Sequence, residues 1–250
     1  MLKTDPTLDT QLHHRTVRQF TDQPIADATI NELVMVAQHT ATSHFLQSFS
    51  VLSITDAKIR QQIAEISRQK YVNGHGHLFI FIIDLNRAAT ITGRNQQNSF
   101  LGSTDKFFQA ASDTALAVQN VVNAAESLGL GTVILGSILN DPLRLINLLK
   151  LPPLTFPMLG LIVGQPDQET QPKPRLPQEL VHFENTYHLP ANTTELVAEY
   201  DATIKDYYGH RSRNNRVETF TSLLTKAAND LPAHRIDLDS ALQQQGFFCD

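Results

Sequence analysis

The sequence predicts a fold of both helices and strands: a sheet of four or five strands, long helices around it, and a helical extension at the C-terminal end. Three observations lead to this prediction. Several short apolar runs are typical of strands, and longer segments between them carry apolar residues at helical spacing. A proline-rich segment at 165–177, without apolar periodicity, then separates this part from further helical patterns and is predicted to be an extended linker.

Four apolar runs are the predicted strands. They comprise residues 49–54, 78–84, 132–135 and 157–164. The second run is apolar without interruption up to Asp84, which is typical of a strand that is buried on both faces. These runs account for the central sheet.

The predicted helices alternate with these strands. Asp27 and Asp56 are expected to cap the helices that follow them, and Pro142 stands at a tolerated first-turn position of a short helix that ends at residue 149. The longest pattern covers 105–128 and stops at a glycine-rich turn. Shorter helical patterns lie at 8–14, 193–208, 217–229 and 237–245, whereas the polar segment 89–104 is predicted to be a loop or lid.

Composition excludes several classes of protein. The net charge of −5 argues against general nucleic-acid binding. The apolar runs are too short to span a bilayer, and the first residues lack the apolar stretch of a signal peptide, so we expect a cytoplasmic protein. The single cysteine, Cys249, has no partner for a disulfide. His75 and His77 lack nearby acidic or cysteine ligands, so no metal site is predicted.

Basic residues cluster at three places in this acidic chain. His14, Arg15, Thr16 and Arg18 fall within five residues, and such a set of donors suits a phosphate, although a solvated basic turn explains the segment equally well. Prolines at 172–177 hold Lys173 and Arg175 in an extended segment, on the same side, which suits an anionic ligand or a merely charged linker. The third cluster comprises Arg211, Arg213 and Arg216.

Motifs for acid–base or nucleotide-loop chemistry are missing from the sequence. The glycine-rich turn at 129–131 follows a helix and precedes a strand, which is the wrong order for a Rossmann phosphate loop. Glu65, Glu126 and Glu184 are isolated and are predicted to be surface or capping groups. Anion-binding groups without acid–base apparatus suggest that a bound cofactor carries out the chemistry.

Six segments together resemble a known family. They are residues 14–25, 42–47, 68–70, 124–131, 173–177 and 211–216, and they keep their order and spacing over nearly the whole chain. They resemble the FMN-dependent nitroreductases, and most closely the NADPH-preferring branch of oxygen-insensitive type A nitroreductases and NADPH:flavin oxidoreductases.

The resemblance implies an α+β fold of the nitroreductase type, with a central, mostly antiparallel sheet flanked by helices and a helical C-terminal extension. It implies one FMN-binding domain over residues 1–250, of which 165–250 form the linker and the extension. It also implies a homodimer with one FMN at each of two subunit interfaces, and NADPH as the reductant.

Particular residues are implied to bind these cofactors. The FMN phosphate and ribityl chain would be held by His14, Arg15, Thr16, Arg18, Lys173 and Arg175, with Lys173 near the pyrimidine side of the ring. Gln69 would bond the ring edge, Ile134, Leu135, Gly136 and Ser137 would line the ring, and Thr42, Ser43, His44 and Phe45 would reach in from the other subunit. Arg211 and Arg216 would hold the 2′-phosphate of NADPH, while Leu139 and Val217 stand where arginine is usual.

The implied activity is NADPH-dependent, two-electron reduction of nitroaromatics, quinones or free flavin by ping-pong hydride transfer. The chemistry would take place on FMN, without a catalytic side chain. Two alternatives remain open: a flavin reductase that supplies reduced FMN to a partner, and a non-catalytic flavin-binding regulatory module. Arg211 and Arg216 speak against the last, because a flavin holder needs no nicotinamide site.

Overall fold

A computed structural model describes residues 5–210, 216–230, 235 and 237–248. The described chain divides into two compact units. The first contains the residues up to Thr170 together with those from Arg235 onward, and the second contains the residues from Gln171 to Asp230.

The first unit is built on a sheet that has four strands among the described residues. The strands are β1 (Phe49–Ile54), β2 (His77–Asp84), β3 (Gly131–Leu135) and β4 (Thr155–Gly164). Their order across the sheet is β1-β2-β4-β3, and each neighbouring pair is antiparallel. The predicted strands and the antiparallel sheet implied by the resemblance are therefore confirmed, with each strand boundary within two residues of its prediction.

Helices precede, connect and follow these strands. They are α1 (Pro6–Leu12), α2 (Asp27–Gln38), α3 (Ala57–Ser67), α4 (Asn86–Thr92), α5 (Thr104–Ser127), α6 (Pro142–Leu149), α7 (Thr193–Gly209), α8 (Phe220–Asn229) and α9 (Leu238–Gln244). Short 3₁₀ turns lie at Ser43–Phe45, Lys70–Asn73, Gln96–Asn98, Gly136–Asn140 and Gln178–Leu180. None of the described helices is long and apolar enough to cross a membrane.

The core of the first unit lies on both faces of the sheet. Successive side chains of a strand point to opposite faces, and the central strand β2 uses both. Ile80 belongs to an apolar cluster with Ile63 of α3, whereas Phe79 belongs to a second cluster with Val118 of α5. The prediction of a strand buried on both faces is confirmed for β2.

The structure decides the predictions for two helix caps and for the segment 89–104. Asp56 caps α3 as expected, because its carboxylate accepts hydrogen bonds from the backbone N–H groups of Lys58 and Ile59, at 2.7 and 3.0 Å. The prediction for Asp27 is wrong: Asp27 is already helical, and Ala26 precedes α2 without a side-chain cap. The segment 89–104 is not one continuous loop, because α4 runs to residue 92 and buries Ala89 in an apolar cluster.

The second unit consists of an extended segment and two helices. No helix or strand occurs in residues 171–177, as the proline-rich sequence predicts. Helices α7 and α8 pack through Tyr200 and Phe220, whose ring centroids lie 5.2 Å apart. The backbone N–H of Thr221 donates to the Asp201 carboxylate at 2.9 Å, which fixes the start of α8 against α7.

Candidate functional site

The basic segment 14–18 is anchored along the free edge of β3. The backbone N–H of Val17 donates to the carbonyl of Thr132 at 2.8 Å, and Thr16 forms a parallel bridge to the same residue. The Val17 side chain is buried and lies so close to Gly131 that a Cβ there would stand 2.8 Å from it. A glycine at 131 is therefore needed for the segment to approach the strand.

Burial of Val17 leaves its basic neighbours on the outside. Arg15 is exposed, and Thr16 and Arg18 are half-buried. Among the residues that the structure describes, neither guanidinium forms an ion pair with a carboxylate. Two positive charges on a fixed backbone, without a neutralising partner in this part of the chain, can bind an anion bidentately.

Glu126, near the end of α5, contacts this segment, and its prediction as a surface or capping group is wrong. Its side chain is only 12% exposed. Its Oε1 atom lies 2.8 Å from His14 Nδ1 and accepts the Thr132 hydroxyl at 2.7 Å. A cleft of about 330 Å³ opens here, lined in part by Arg15, Glu126 and Gln168.

The turn after α3 carries Gln69 and approaches the basic segment through Tyr71. Arg68 ends the helix in the left-handed region at φ 54°, and Gln69 is exposed at the start of the following 3₁₀ turn. Tyr71 in that turn lies under Arg18, whose guanidinium carbon is 6.0 Å from the ring centroid. The structure thus brings Tyr71, the residue that follows the predicted segment 68–70, next to the basic segment.

The end of β3 presents a partly apolar edge to the outside. Ile134 is 39% exposed, whereas Leu135 is buried. The 3₁₀ turn that follows is held by Arg235, which donates to the carbonyl of Gly136 at 2.9 Å and to the side-chain oxygen of Asn140 at 3.2 Å. Asn140 donates in turn to the carbonyl of Ser67 at 3.2 Å, so the turn at 136–140 is tied to the end of α3.

The predicted segment 42–45 lies in a strained turn. His44, Phe45 and Gln47 all adopt positive φ angles of 51°, 58° and 52°, a region that non-glycine residues rarely occupy. The Asp113 carboxylate of α5 accepts the backbone N–H of Ser43 at 2.8 Å and that of Ser48 at 3.2 Å. Asp113 is therefore the side chain that holds both ends of this turn.

Phe45 lies at the exposed end of the same turn, with 81% of its surface accessible. Its ring is therefore available for contact with another molecule.

In the second unit, Lys173 and Arg175 are both exposed, whereas the alternating Pro174 and Leu176 are half-buried. The hydroxyl of Tyr200 donates to the Pro174 carbonyl at 3.2 Å, which fixes the extended segment to α7. Burial raises the pKa of Tyr200, although the charge of Arg175 opposes that rise. The two basic side chains thus point outward from a fixed backbone.

The third basic cluster is only partly described. Arg216 is ion-paired with Glu218 and stacks on Tyr208, with its guanidinium carbon 4.3 Å from the ring centroid. Val217 beside it is exposed. Arg211, the other predicted ligand of the NADPH 2′-phosphate, lies outside the described residues, as does Arg213.

His77 makes packing and hydrogen-bond contacts within the sheet. Its ring packs on Phe79 at 4.4 Å and hydrogen-bonds the Ser53 hydroxyl at 3.0 Å. Burial, and then the charge of Arg60, lower the pKa of His77. Within the described part of the chain, no group of three or more histidine, cysteine or acidic residues could hold a metal ion.

Three residues that stabilise the site were not predicted as such: Asp113, Glu126 and Arg235. Asp113 had a signal in the sequence, because it stands on the buried face of α5 beside Ala110 and Thr114. Arg235 had none, since it contacts acceptors 95 and 99 residues away.

Comparison with known proteins agrees with this geometry. Residues 12–165 match the sequence profile of the Nitroreductase family, and residues 173–250 match the profile described as Nitroreductase family, C-terminal domain. An NADPH-dependent oxidoreductase of Staphylococcus aureus is 37% identical over 239 residues, which covers 93% of this chain and 94% of that protein.

Solved structures agree as well. The NfrA1 nitroreductase from B. subtilis superposes with a TM-score of 0.90 at 34% identity, over 98% of this chain and 100% of that one. The NADPH:FMN oxidoreductase from Vibrio harveyi, complexed with NAD+, gives a TM-score of 0.88 at 30% identity, over 98% and 100%. Profile, relatives and structures coincide, and the chain belongs to the nitroreductase family of NAD(P)H-dependent flavin oxidoreductases.

Proposed function

We propose that this enzyme binds FMN and uses NADPH to reduce nitroaromatics, quinones or free flavin, two electrons at a time and in a ping-pong order. The observation that carries the proposal is the basic segment on the edge of β3. Arg15 and Arg18 lie on a fixed backbone without a carboxylate partner in the described chain, and an anion completes such a pair.

The donor set fits the phosphorylated flavin. A phosphate needs several donors in one place, which the segment 14–18 supplies, and the partly exposed Ile134 offers apolar surface for a flat ring. The FMN ligands that we propose in this subunit are His14, Arg15, Thr16, Arg18, Gln69, Ile134, Leu135, Gly136, Ser137, Lys173 and Arg175. Thr42, Ser43, His44 and Phe45 are assigned to the flavin of a second copy.

FMN, when bound, supplies the ring that takes a hydride from the nicotinamide and returns two electrons to the acceptor. The side chains of this protein bind FMN and NADPH and orient them. Lys173 is assigned the pyrimidine side of the ring, where a positive charge stabilises the anionic reduced flavin. We assign no side chain the role of proton donor, because solvent or the flavin itself can supply protons.

We further propose that the enzyme is a cytoplasmic homodimer and that residues 1–250 act as one FMN-binding domain. Large apolar side chains are exposed on the described surface of the first unit, and contact with a second copy would bury them. They include Leu12, Phe45, Phe108 and Leu116.

We propose NADPH as the preferred reductant, because Arg211 and Arg216 are assigned its 2′-phosphate. Arg216 already pairs with Glu218, so the nucleotide would have to compete with that carboxylate. Leu139 and Val217 add no positive charge. The preference for NADPH over NADH is therefore expected to depend strongly on Arg211.

A second candidate function is a flavin reductase that passes reduced FMN to a partner enzyme. The similarity to the NADPH:FMN oxidoreductase from Vibrio harveyi favours it. Turnover with free FMN, compared with turnover on nitrofurans and quinones, separates the two functions.

The flavin content of purified variants tests the cofactor assignment. We expect Arg18→Ala to lose most of its FMN, since the loss of one charge-assisted contact to a phosphate weakens binding by about tenfold or more. Arg144→Ala is the matched control, because Arg144 is paired with Glu65 on the surface of α6. An Arg18→Ala protein that purifies with full FMN occupancy would refute the assignment.

A further inference from the structure

Three parts of the first unit meet at the carboxylate of Glu126. Glu126 stands near the C-terminal end of α5, His14 belongs to the basic segment, and Thr132 belongs to the edge strand β3. One oxygen, Oε1, lies 2.8 Å from His14 Nδ1 and 2.7 Å from the Thr132 hydroxyl. The carboxylate therefore ties the basic segment to both the helix and the sheet.

The chemistry of the carboxylate assigns the donor at each contact. An ionised carboxylate only accepts hydrogen bonds, so the Thr132 hydroxyl donates and His14 carries a proton on Nδ1. Nδ1 is thereby occupied, and Nε2 is the ring atom left to bond anything else. In the imidazolium form Nε2–H is a donor, and the positive ring sits beside a negative carboxylate.

The negative charge of Glu126 is electrostatically unfavourable next to a site that binds a phosphate. A negative charge near a phosphate is repelled by it, most of all where little water screens the two. A partly buried glutamate that contacts the basic segment needs a stabilising interaction to offset this repulsion. The contact with His14 provides such an interaction, and it fixes the orientation of a ring that belongs to the basic segment.

We propose that Glu126 is a positioning residue for the phosphate end of FMN. It orients the His14 ring and holds its Nδ1 proton, so that Nε2–H is presented to the phosphate. The backbone carbonyl of Thr132 accepts the Val17 N–H, and this bond does not depend on the Thr132 side chain. This inference rests on the proposed function, and it assigns a role that no residue of α5 has in that proposal.

A comparison of FMN with riboflavin isolates this role, because the two ligands differ only in the phosphate. Dissociation constants of both are measured with the flavin-free protein by quenching of flavin fluorescence. For Glu126→Ala we expect the preference for FMN over riboflavin to fall about tenfold, the weight of one charge-assisted hydrogen bond. Riboflavin affinity should stay within about threefold of the unsubstituted value.

Further variants show whether Glu126 acts through His14. His14→Ala should lower the preference by the same factor, and the double variant should lower it no further. Glu126→Gln keeps an oxygen acceptor for both donors and should recover most of the preference. Thr132→Val is the matched control, because it removes the other hydrogen bond to Oε1 and leaves the His14 contact in place.

Nitrogen-15 spectra of the histidine rings test the proposal without altering Glu126. In the unsubstituted protein FMN should shift the Nε2 signal of His14, identified by its loss in His14→Ala, whereas riboflavin should not. An equal response to both ligands would overturn the proposal, even if Glu126→Ala does not fold.

Other results would count against it in distinct ways. Equal weakening of FMN and riboflavin in Glu126→Ala would mean a purely structural role. If the falls in FMN preference of the two single variants multiply in the double variant, Glu126 does not act through His14. An unsubstituted protein that binds no FMN would overturn the proposed function and this inference together, whereas FMN binding with an unchanged preference would overturn this inference alone.

Discussion

Replacement of Asp113 is expected to release the turn at 42–48 before it affects the rest of the fold. The carboxylate is 1% exposed and accepts two backbone N–H groups, from Ser43 and Ser48. A hydrogen bond to a charged group contributes about 1.5–3 kcal/mol. Removal of both bonds in Asp113→Ala therefore costs about 3–6 kcal/mol if the turn keeps its shape.

The turn is strained and can relax when these bonds are lost. His44, Phe45 and Gln47 are held in the left-handed region, which costs about 1 kcal/mol or more for each non-glycine residue. Relaxation recovers about 3 kcal/mol of that strain. We therefore expect Asp113→Ala to lower the free energy of unfolding by less than the two bonds suggest, by at most about 3 kcal/mol, because the turn opens instead.

Hydrogen exchange measures this opening residue by residue. The amides of Ser43 and Ser48 should lose protection in Asp113→Ala, while amides in β2 keep theirs. Ser112→Ala is the control, since the Ser112 hydroxyl donates within its own helix, to the Phe108 carbonyl, and to no other described residue. Unchanged protection at Ser43 and Ser48 would refute the argument that Asp113 holds the turn.

Three further predictions concern Gly131, Arg235 and His77. Gly131→Ala places a Cβ 2.8 Å from the Val17 side chain, so we expect a loss of about 1–3 kcal/mol in urea unfolding together with lower FMN content; unchanged values would contradict the close approach. Arg235→Ala removes the donor to two acceptors in the turn at 136–140. We expect Tm to fall by several degrees, which corresponds to a loss of about 1–2 kcal/mol. An unchanged Tm would mean that Arg235 does not stabilise this turn. The folded-state pKa of His77 is lowered, chiefly by burial, so the unfolded chain binds more protons and stability falls as the pH drops below about 6.5. His77→Gln should lose less stability between pH 7 and pH 5 than the unsubstituted protein; equal pH profiles for the two proteins would contradict the role of His77.

Local patterns explain which parts of the fold the sequence predicted. The strand at 78–84 was predicted from an uninterrupted apolar run, and the structure buries all of these apolar residues. The cap at Asp56 was predictable because its carboxylate binds N–H groups no more than three residues along the chain. Asp27 has the residue type of a cap, but the helix starts one residue earlier. Type alone does not fix where a helix begins.

Contacts over long sequence distances explain what was missed. His14 and Glu126 are 112 residues apart, and Ser43 and Asp113 are 70 residues apart. Periodicity assigns each of these residues to an element but carries no information on which elements meet. Composition was enough to predict the basic segment as a candidate anion site, whereas the carboxylates that hold this segment and the turn at 42–48 in place required the structure.

The most direct test of the central claim is the visible absorbance spectrum of the purified protein, followed by anaerobic addition of NADPH and, in a second sample, NADH. The account predicts the absorption bands of bound flavin, which bleach rapidly with NADPH and more slowly with NADH. A protein that stays colourless after FMN is added would contradict FMN binding. Bound flavin that neither nucleotide reduces would contradict the enzymatic role and favour a flavin-binding regulatory module.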